Sequence, residues 1–194
     1  DRHDYRQQWR SFTASLATRV TLEGVIGQVL RGVREALGAT RAALYLADEA
    51  GGPLAFTAAP GLGPLPQSLA IGLEHFPARQ GAPEAVVTED LPGAEAAALA
   101  EARLVVAVPL LSQGRLLGVL LLGPERTQAA YTQEDLDLLT TLGEQAASAI
   151  ATAGLSERLA QASAFEAFHR LSSFVVHDLK NGVSALSLLT QNAR

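Results

Sequence analysis

Near the end of the chain, the run His177-Asp178-Leu179-Lys180-Asn181 gathers an imidazole, a carboxylate, an ammonium and a carboxamide into little more than one helical turn. Read as a helix, Phe165, Phe168, Ser172, Val175, Leu179, Val183, Leu186 and Thr190 make a stripe at spacings of three and four, a seam that calls for a partner helix. Arg170, Ser173, His177, Lys180, Asn181 and Ser184 take the opposite, polar face, so the histidine points away from that seam. A helical histidine is by default a surface or core residue with satisfied hydrogen bonds, and here it is the neighbours that argue for more. An unperturbed imidazole, with a pKa of roughly 6.5, is mostly neutral at pH 7. One ring nitrogen can then attack while the other holds the proton and needs an acceptor to orient it. Adjacent helical side chains diverge by about 100°, so a pairing of Asp178 with His177 must come from rotamer choice or from a nearby chain. Asn181, four residues on, shares the histidine's face.

That run resembles the H-box of sensor histidine kinases. The longer string from Phe165 to Asn181, followed by Leu186 to Leu189 and by Asn192-Ala193, is similar to the kinases associated with PEP-CTERM and exosortase systems, the PrsK-like family. The resemblance implies that His177 accepts the γ-phosphoryl group of ATP. It further implies that Asp178 is its base and orienter, and that Asn181 positions a water for dephosphorylating a bound response regulator. It also implies a two-helix dimerisation hairpin, a homodimer, a receiver-domain partner, and ATP with Mg in the ATP-binding domain of a parent kinase. One position departs from the pattern: many H-boxes carry Pro five residues after the histidine, and this chain has Gly182. Glycine weakens a helix by about 1 kcal/mol against alanine but, unlike proline, removes no donor and forces no kink.

The elements that must carry this motif are bounded by composition. At 194 residues and 48% hydrophobic, the chain can bury one full core and keep residues for long helices. A net charge of −5 and a pI near 5.4 argue against a nucleic-acid partner, because nothing here neutralises a phosphate backbone. With no cysteine there is no disulfide framework, no thiolate metal site and no thioether anchor for a bilin. The four histidines, at 3, 75, 169 and 177, lack metal-ligand spacing, and no apolar run approaches the 18 or so residues of a membrane span. The absence of methionine and the start at Asp1-Arg2-His3 read as a piece of a longer chain. Asp4 to Phe12 resembles the segment after the membrane domain of PrsK-like kinases, which implies a cytoplasmic portion of a parent anchored in the inner membrane.

Along the chain, residues 4–18 read as a helix with Tyr5, Trp9, Phe12 and Leu16 on one face. Thr21 reads as an N-cap for a helix whose apolar positions run from Leu22 to Leu37 and stop at Gly38. Ala42, Leu44 and Leu46 alternate with larger or more polar neighbours, and Gly51-Gly52-Pro53 turns the chain into a second strand, Leu54 to Ala58. Pro60 to Ala82 is rich in Gly and Pro, with one short helical candidate at Leu65 to Leu73. A short strand (Ala85 to Thr88), a helix (Glu95 to Arg103), a buried strand (Leu104 to Leu111), a turn at Ser112 to Arg115 and a strand over Leu116 to Leu122 follow, with Gly118 expected at a bulge or close approach. Thr132 to Asp135 reads as a capping signal for a helix that runs to the end. Leu136, Leu139, Leu142 or Gly143, Ala146, Ile150, Ala153, Leu159, Ala162 and Phe165 form its narrow stripe, and Gly154 is a candidate stutter or break.

This order, with the texture of Arg103 to Leu111 and Gly114 to Gly123, resembles a GAF domain. The expected class is α+β: a GAF-like antiparallel sheet flanked by helices, with a long C-terminal coiled-coil-like signalling helix carrying the H-box. The expected domains are an N-terminal juxtamembrane-like helix over 1–20, a GAF sensor over 21–152, and a signalling helix with the first phosphoacceptor helix over 153–194. The resemblance implies an unidentified small-molecule ligand between the sheet and the crossover, roughly Pro60 to Asp90. The Asn-Lys…Phe…Asp-Glu signature of cyclic-nucleotide binders is absent from the sequence. His75 as a haem ligand and Arg79 as an anion contact are weaker readings than a hydrogen-bonded histidine and a solvated charge. The chain ends at Arg194 without a Gly-rich ATP lid, so alone it is expected not to autophosphorylate. The rival expectation is a non-catalytic GAF ligand-binding or dimerisation module whose terminal helix is structural.

Overall fold

The computed structural model describes residues 21–47, 53–59, 65–79, 82–91 and 93–192, without the side chains of 79 and 167–192. The helix expected over 4–18 and the Gly51-Gly52 turn lie outside the described residues. Helix α1 (Leu22–Ala36) starts at Thr21, whose hydroxyl accepts the Gly24 N–H at 3.2 Å. It stops at Gly38, which takes φ +63°. The Gly38 and Ala39 N–H groups return to the Glu35 and Arg34 carbonyls, a Schellman closure that satisfies the last turn.

The strands are β1 (Ala42–Leu46), β2 (Leu54–Ala58), β3 (Ser68–Leu69), β4 (Ala78–Arg79), β5 (Ala82–Pro83), β6 (Val86–Val87), β7 (Val106–Ser112) and β8 (Arg115–Leu122). Helix α2 (Gly93–Glu101) lies between β6 and β7, and α3 (Gln133–Asn192) follows β8. Among the described residues, six strands form one antiparallel sheet in the order β3-β2-β1-β8-β7-β6, while β4 and β5 make a separate hairpin. The β7–β8 turn puts Gln113 at φ 52° and Gly114 at φ 75°, two successive positive φ values that match the twist of a tight hairpin.

Side chains alternate across the sheet, and both faces are covered. Leu44, Val106, Val108, Leu110, Leu120 and Leu122 face α1 and the first turns of α3. Ala43, Tyr45, Ala107, Val119 and Leu121 face α2 and the crossover that leads from β3 to it. Within that crossover, the helical candidate Leu65 to Leu73 is overturned: its residues supply β3, which pairs with β2, and the helical turn comes later, as a 3-10 turn at Leu73–His75. Leu69 and Ile71 are buried beneath the crossover, so packing on the sheet overrides a weak local preference.

Helix α3 begins with a reciprocal cap. The Thr132 N–H and hydroxyl both donate to the Asp135 carboxylate, at 2.7 and 2.6 Å, and the Asp135 N–H returns to the Thr132 hydroxyl. Among its described side chains, Leu139, Leu142, Ala146, Ala147, Ile150 and Ala153 are buried. Gly143 has no room for a side chain, since a Cβ there would meet Val108 Cγ1 at 2.7 Å and the Pro109 carbonyl at 3.0 Å. The helix is unbroken at Gly154, where one compact unit ends and a second, beginning at Leu155, takes over.

Gly118 is the close approach that its place in an apolar strand foretold. It pairs with Leu46 on one side and Leu110 on the other, next to a register shift between Leu110 and Leu111. A Cβ at Gly118 would strike the Tyr45 carbonyl and stand 2.7 Å from Leu46 Cδ2. Replacing a strand glycine normally helps. Here Gly118→Ala should lower unfolding free energy by about 1–3 kcal/mol, read from the urea midpoint at unchanged m-value.

Candidate functional site

Chemistry is concentrated in two places. The first is the motif on α3. His177, Asp178 and Asn181 belong to the helical backbone of α3, and their side chains lie outside the described residues. Their grouping therefore rests on helical position: Asn181 stands four residues from His177, and Asp178 is its immediate neighbour.

The second is the space between the sheet and the crossover. Its floor is apolar: Tyr45, Val119 and Leu121 from the sheet, Leu99 from α2, and Ile71, Phe76 and Leu91 from the crossover pack in one buried cluster. Tyr45 dominates it. The ring is fully buried, meets Phe56 edge-on at 5.6 Å, and the phenol donates to the Pro66 carbonyl at 2.8 Å. The Thr88 hydroxyl, also buried, donates to the Leu104 carbonyl at 2.8 Å. These hydroxyls are thus used in holding the crossover to the sheet. In sequence, Tyr45 stands only among the larger or more polar neighbours of Ala42, Leu44 and Leu46. The signal missed there is that a central strand is buried on both faces, so both alternating sets are core.

His75 is hydrogen-bonded, and the manner of bonding decides what it can do. Its Nδ1 accepts the Gly72 N–H at 3.0 Å, with Glu74 Oε1 3.6 Å away. In the neutral ring the proton is then on Nε2. Ligation of a metal or haem iron through Nε2 needs the proton on Nδ1, where it would oppose the Gly72 N–H. The haem reading of His75 is incompatible with this geometry. The Arg79 side chain lies outside the described residues. Among the described residues, no three His, Asp or Glu stand together as a metal-holding group, and no helix is long and apolar enough to cross a membrane.

The entry to α3 is fixed by Tyr131, whose phenol donates to the Gly123 carbonyl at 2.8 Å. Further along, the Thr140 hydroxyl accepts the Ala85 N–H at 2.9 Å, a contact that helical periodicity alone did not reveal. Beyond Gly154, the large apolar residues exposed among the described side chains are Leu155, Leu159 and Phe165, at 59%, 61% and 64% exposure.

Comparison with known proteins adds the following. A family model described as "GAF domain" matches residues 21–152. No curated protein matches the chain. Among solved structures, the GAF domain of a phosphoenolpyruvate-protein phosphotransferase from Coxiella burnetii is similar, with TM-score 0.59 and 20% identity over 81% of this chain and 99% of that one. Residues 122 to 287 of a methyl-accepting chemotaxis protein give TM-score 0.55 and 21% identity over 74% and 97%. The GAF domain of the potassium sensor histidine kinase KdpD from Escherichia coli gives TM-score 0.52 and 20% identity over 81% and 98%. At these identities the likeness is one of fold.

The two anchoring phenols set an alkaline limit. Burial raises the pKa of Tyr45, and burial followed by repulsion from Glu125 and Asp135 raises that of Tyr131. Their neutral forms are favoured by folding, so this stability is complete below the unfolded value of about 10 and is lost as pH rises through it toward the folded values. The urea midpoint should therefore fall above about pH 10, and Tyr131→Phe should flatten that fall while leaving Tyr45 as the residual contributor.

Proposed function

The chain belongs to the GAF domain family, and from that premise we propose that it is the sensory and phosphoacceptor portion of a two-component sensor histidine kinase. The observation that carries the proposal is one helix. Within Gln133–Asn192, the residues from Leu139 to Ala153 are seated in the GAF core, and the same helix holds the His177-Asp178…Asn181 motif. A change in the sheet or crossover thus has a covalent, helical route toward the phosphoacceptor.

The roles are those that the resemblance to the H-box implies. His177 attacks the γ-phosphoryl of ATP, bound with Mg by the kinase domain of the parent, and the phosphoryl passes to the receiver domain of a response regulator. Asp178 accepts the ring proton and orients the imidazole. Asn181, on the histidine's face, positions the water that hydrolyses a bound phospho-regulator. The assignment to PrsK-like kinases, and with it the anchoring of the parent in the inner membrane, rests on the strings Phe165 to Asn181 and Asp4 to Phe12 alone. Solved relatives of the same fold come from a phosphotransferase and a chemotaxis protein as well as from a histidine kinase. The motif, and not the fold, selects the kinase.

A second reading, a non-catalytic GAF module serving dimerisation, has one observation in its favour: the Tyr45 and Thr88 hydroxyls and His75 Nδ1 beneath the crossover are bonded to the chain's own backbone. Phosphotransfer separates the two. Incubated with ATP and the parent kinase, the chain should acquire acid-labile, base-stable label that His177→Gln abolishes; label that survives the substitution, or never appears while the parent labels itself, selects the dimerisation module.

Both readings include a homodimer through α3, since Leu155 and Leu159 expose apolar surface one helical turn apart. Light scattering at high micromolar concentration should give twice the mass of one chain, and Leu159→Glu should return it to the monomer mass.

A further inference from the structure

The crossover and α3 meet at the sheet edge, where the Ala85 N–H reaches the Thr140 hydroxyl. Ala85 and Val86 are successive, yet they serve opposite layers: Ala85 belongs to the core shared with α1 and α3, and Val86 to the core beneath the crossover. The chain passes there from one layer to the other, and β6 then pairs with β7.

Upstream, the crossover is tied to itself. Gly72 and His75 bond each other in both directions, the Gly72 N–H to His75 Nδ1 and the His75 N–H to the Gly72 carbonyl. Phe76, buried, follows directly, and the Glu84 N–H closes the β4–β5 hairpin onto the Pro77 carbonyl. Residues 71–77 are thus locally braced and tied to Glu84, with Ile71 and Phe76 in the space beneath the crossover. Ala85 follows Glu84 directly.

At Ala85 the braced segment meets Thr140. The Thr140 hydroxyl gives its proton to the Leu136 carbonyl at 2.9 Å, which fixes the side-chain rotamer, and offers a lone pair to the Ala85 N–H at 2.9 Å. Thr141 and Thr152 make the same return bond to their own helix, to Asp137 and Ser148. Among the described threonines of α3, Thr140 alone also bonds off the helix. Ala85 is 3% exposed, so its N–H has no water to exchange for this partner, and displacing Ala85 without the helix strands a buried donor.

We propose that the Thr140 hydroxyl is the coupling element of this domain: a change in packing beneath the crossover reaches the output helix through Ala85 and Thr140. The proposal rests on the sensory half of the reading above and is independent of His177. It makes Thr140 a positioning residue, since it touches no ligand.

A double-mutant cycle read by amide hydrogen exchange tests it on this chain alone, without ATP. Phe76→Leu loosens the packing under the crossover conservatively. In the wild-type background it should speed exchange of the amides of residues 138–147 about threefold or more, while β7 and β8 amides, which report global opening, stay unchanged. In a Thr140→Val background, which keeps the shape and removes the hydroxyl, the same change should leave those helix amides unaltered; Thr140→Ser should restore the response. If the valine variant does not fold, Thr140→Ala takes its place in the cycle. A helix that ignores Phe76→Leu in the wild type, or responds equally with and without the hydroxyl, overturns the proposal. Because no phosphotransfer is read, failure of the kinase reading and failure of this coupling are distinguishable.

Discussion

The structure depends on the central hairpin β7–β8 being apolar on both faces at once. Val106, Ala107, Val108, Leu110 and Val119 to Leu122 are all removed from water, and each successive residue serves a different layer. Burying a Leu or Val side chain is worth roughly 1.5–3 kcal/mol, so a short hairpin of this kind can organise two cores. It also leaves the paired stretches Val106 to Leu110 and Gly118 to Leu122 without a polar side chain. Specificity has to come from elsewhere: caps, turns and the few buried hydroxyls, Tyr45 and Thr88 among them.

The two layers solve that requirement differently. On one side α1 and α3 supply regular stripes, and their ends are closed by Thr21, by the Gly38 turn and by the Thr132–Asp135 pair. On the other, short strands and 3-10 turns alternate. There the backbone groups that a helix would satisfy by itself are met one at a time, by Tyr45 to Pro66, by Thr88 to Leu104 and by His75 to Gly72. A layer held by scattered single bonds is easier to rearrange than one held by helical ladders.

What was legible in the sequence was whatever has a local cause. Thr21, Gly38, the Gln113-Gly114 turn and the capping pair are each decided within four or five residues, and each stands where the sequence put it. Gly118 was legible because an apolar strand has few other reasons to carry a glycine. The Leu65 to Leu73 region was misread because β3 and its neighbours are shaped by what they cover. Tyr45 and Thr140 were passed over for the same reason, as their partners lie 21 and 55 residues away in the chain. The His177-Asp178…Asn181 run is a different case: its residues are plain in the sequence, and whatever chemistry they do depends on partners that no helical wheel contains.

The seat of Gly143 restricts the mechanics of α3. With Val108 and the Pro109 carbonyl against it, no residue bearing a Cβ fits that spot unaltered. A slide of about one full turn, some 5.4 Å, would bring Ala146 or Ala147 opposite the strand, and each carries the Cβ that this seat excludes. Tilting about the same point moves no side chain into the gap. The missing methyl group therefore acts as a fulcrum, admitting a swing of the helix and resisting a piston stroke.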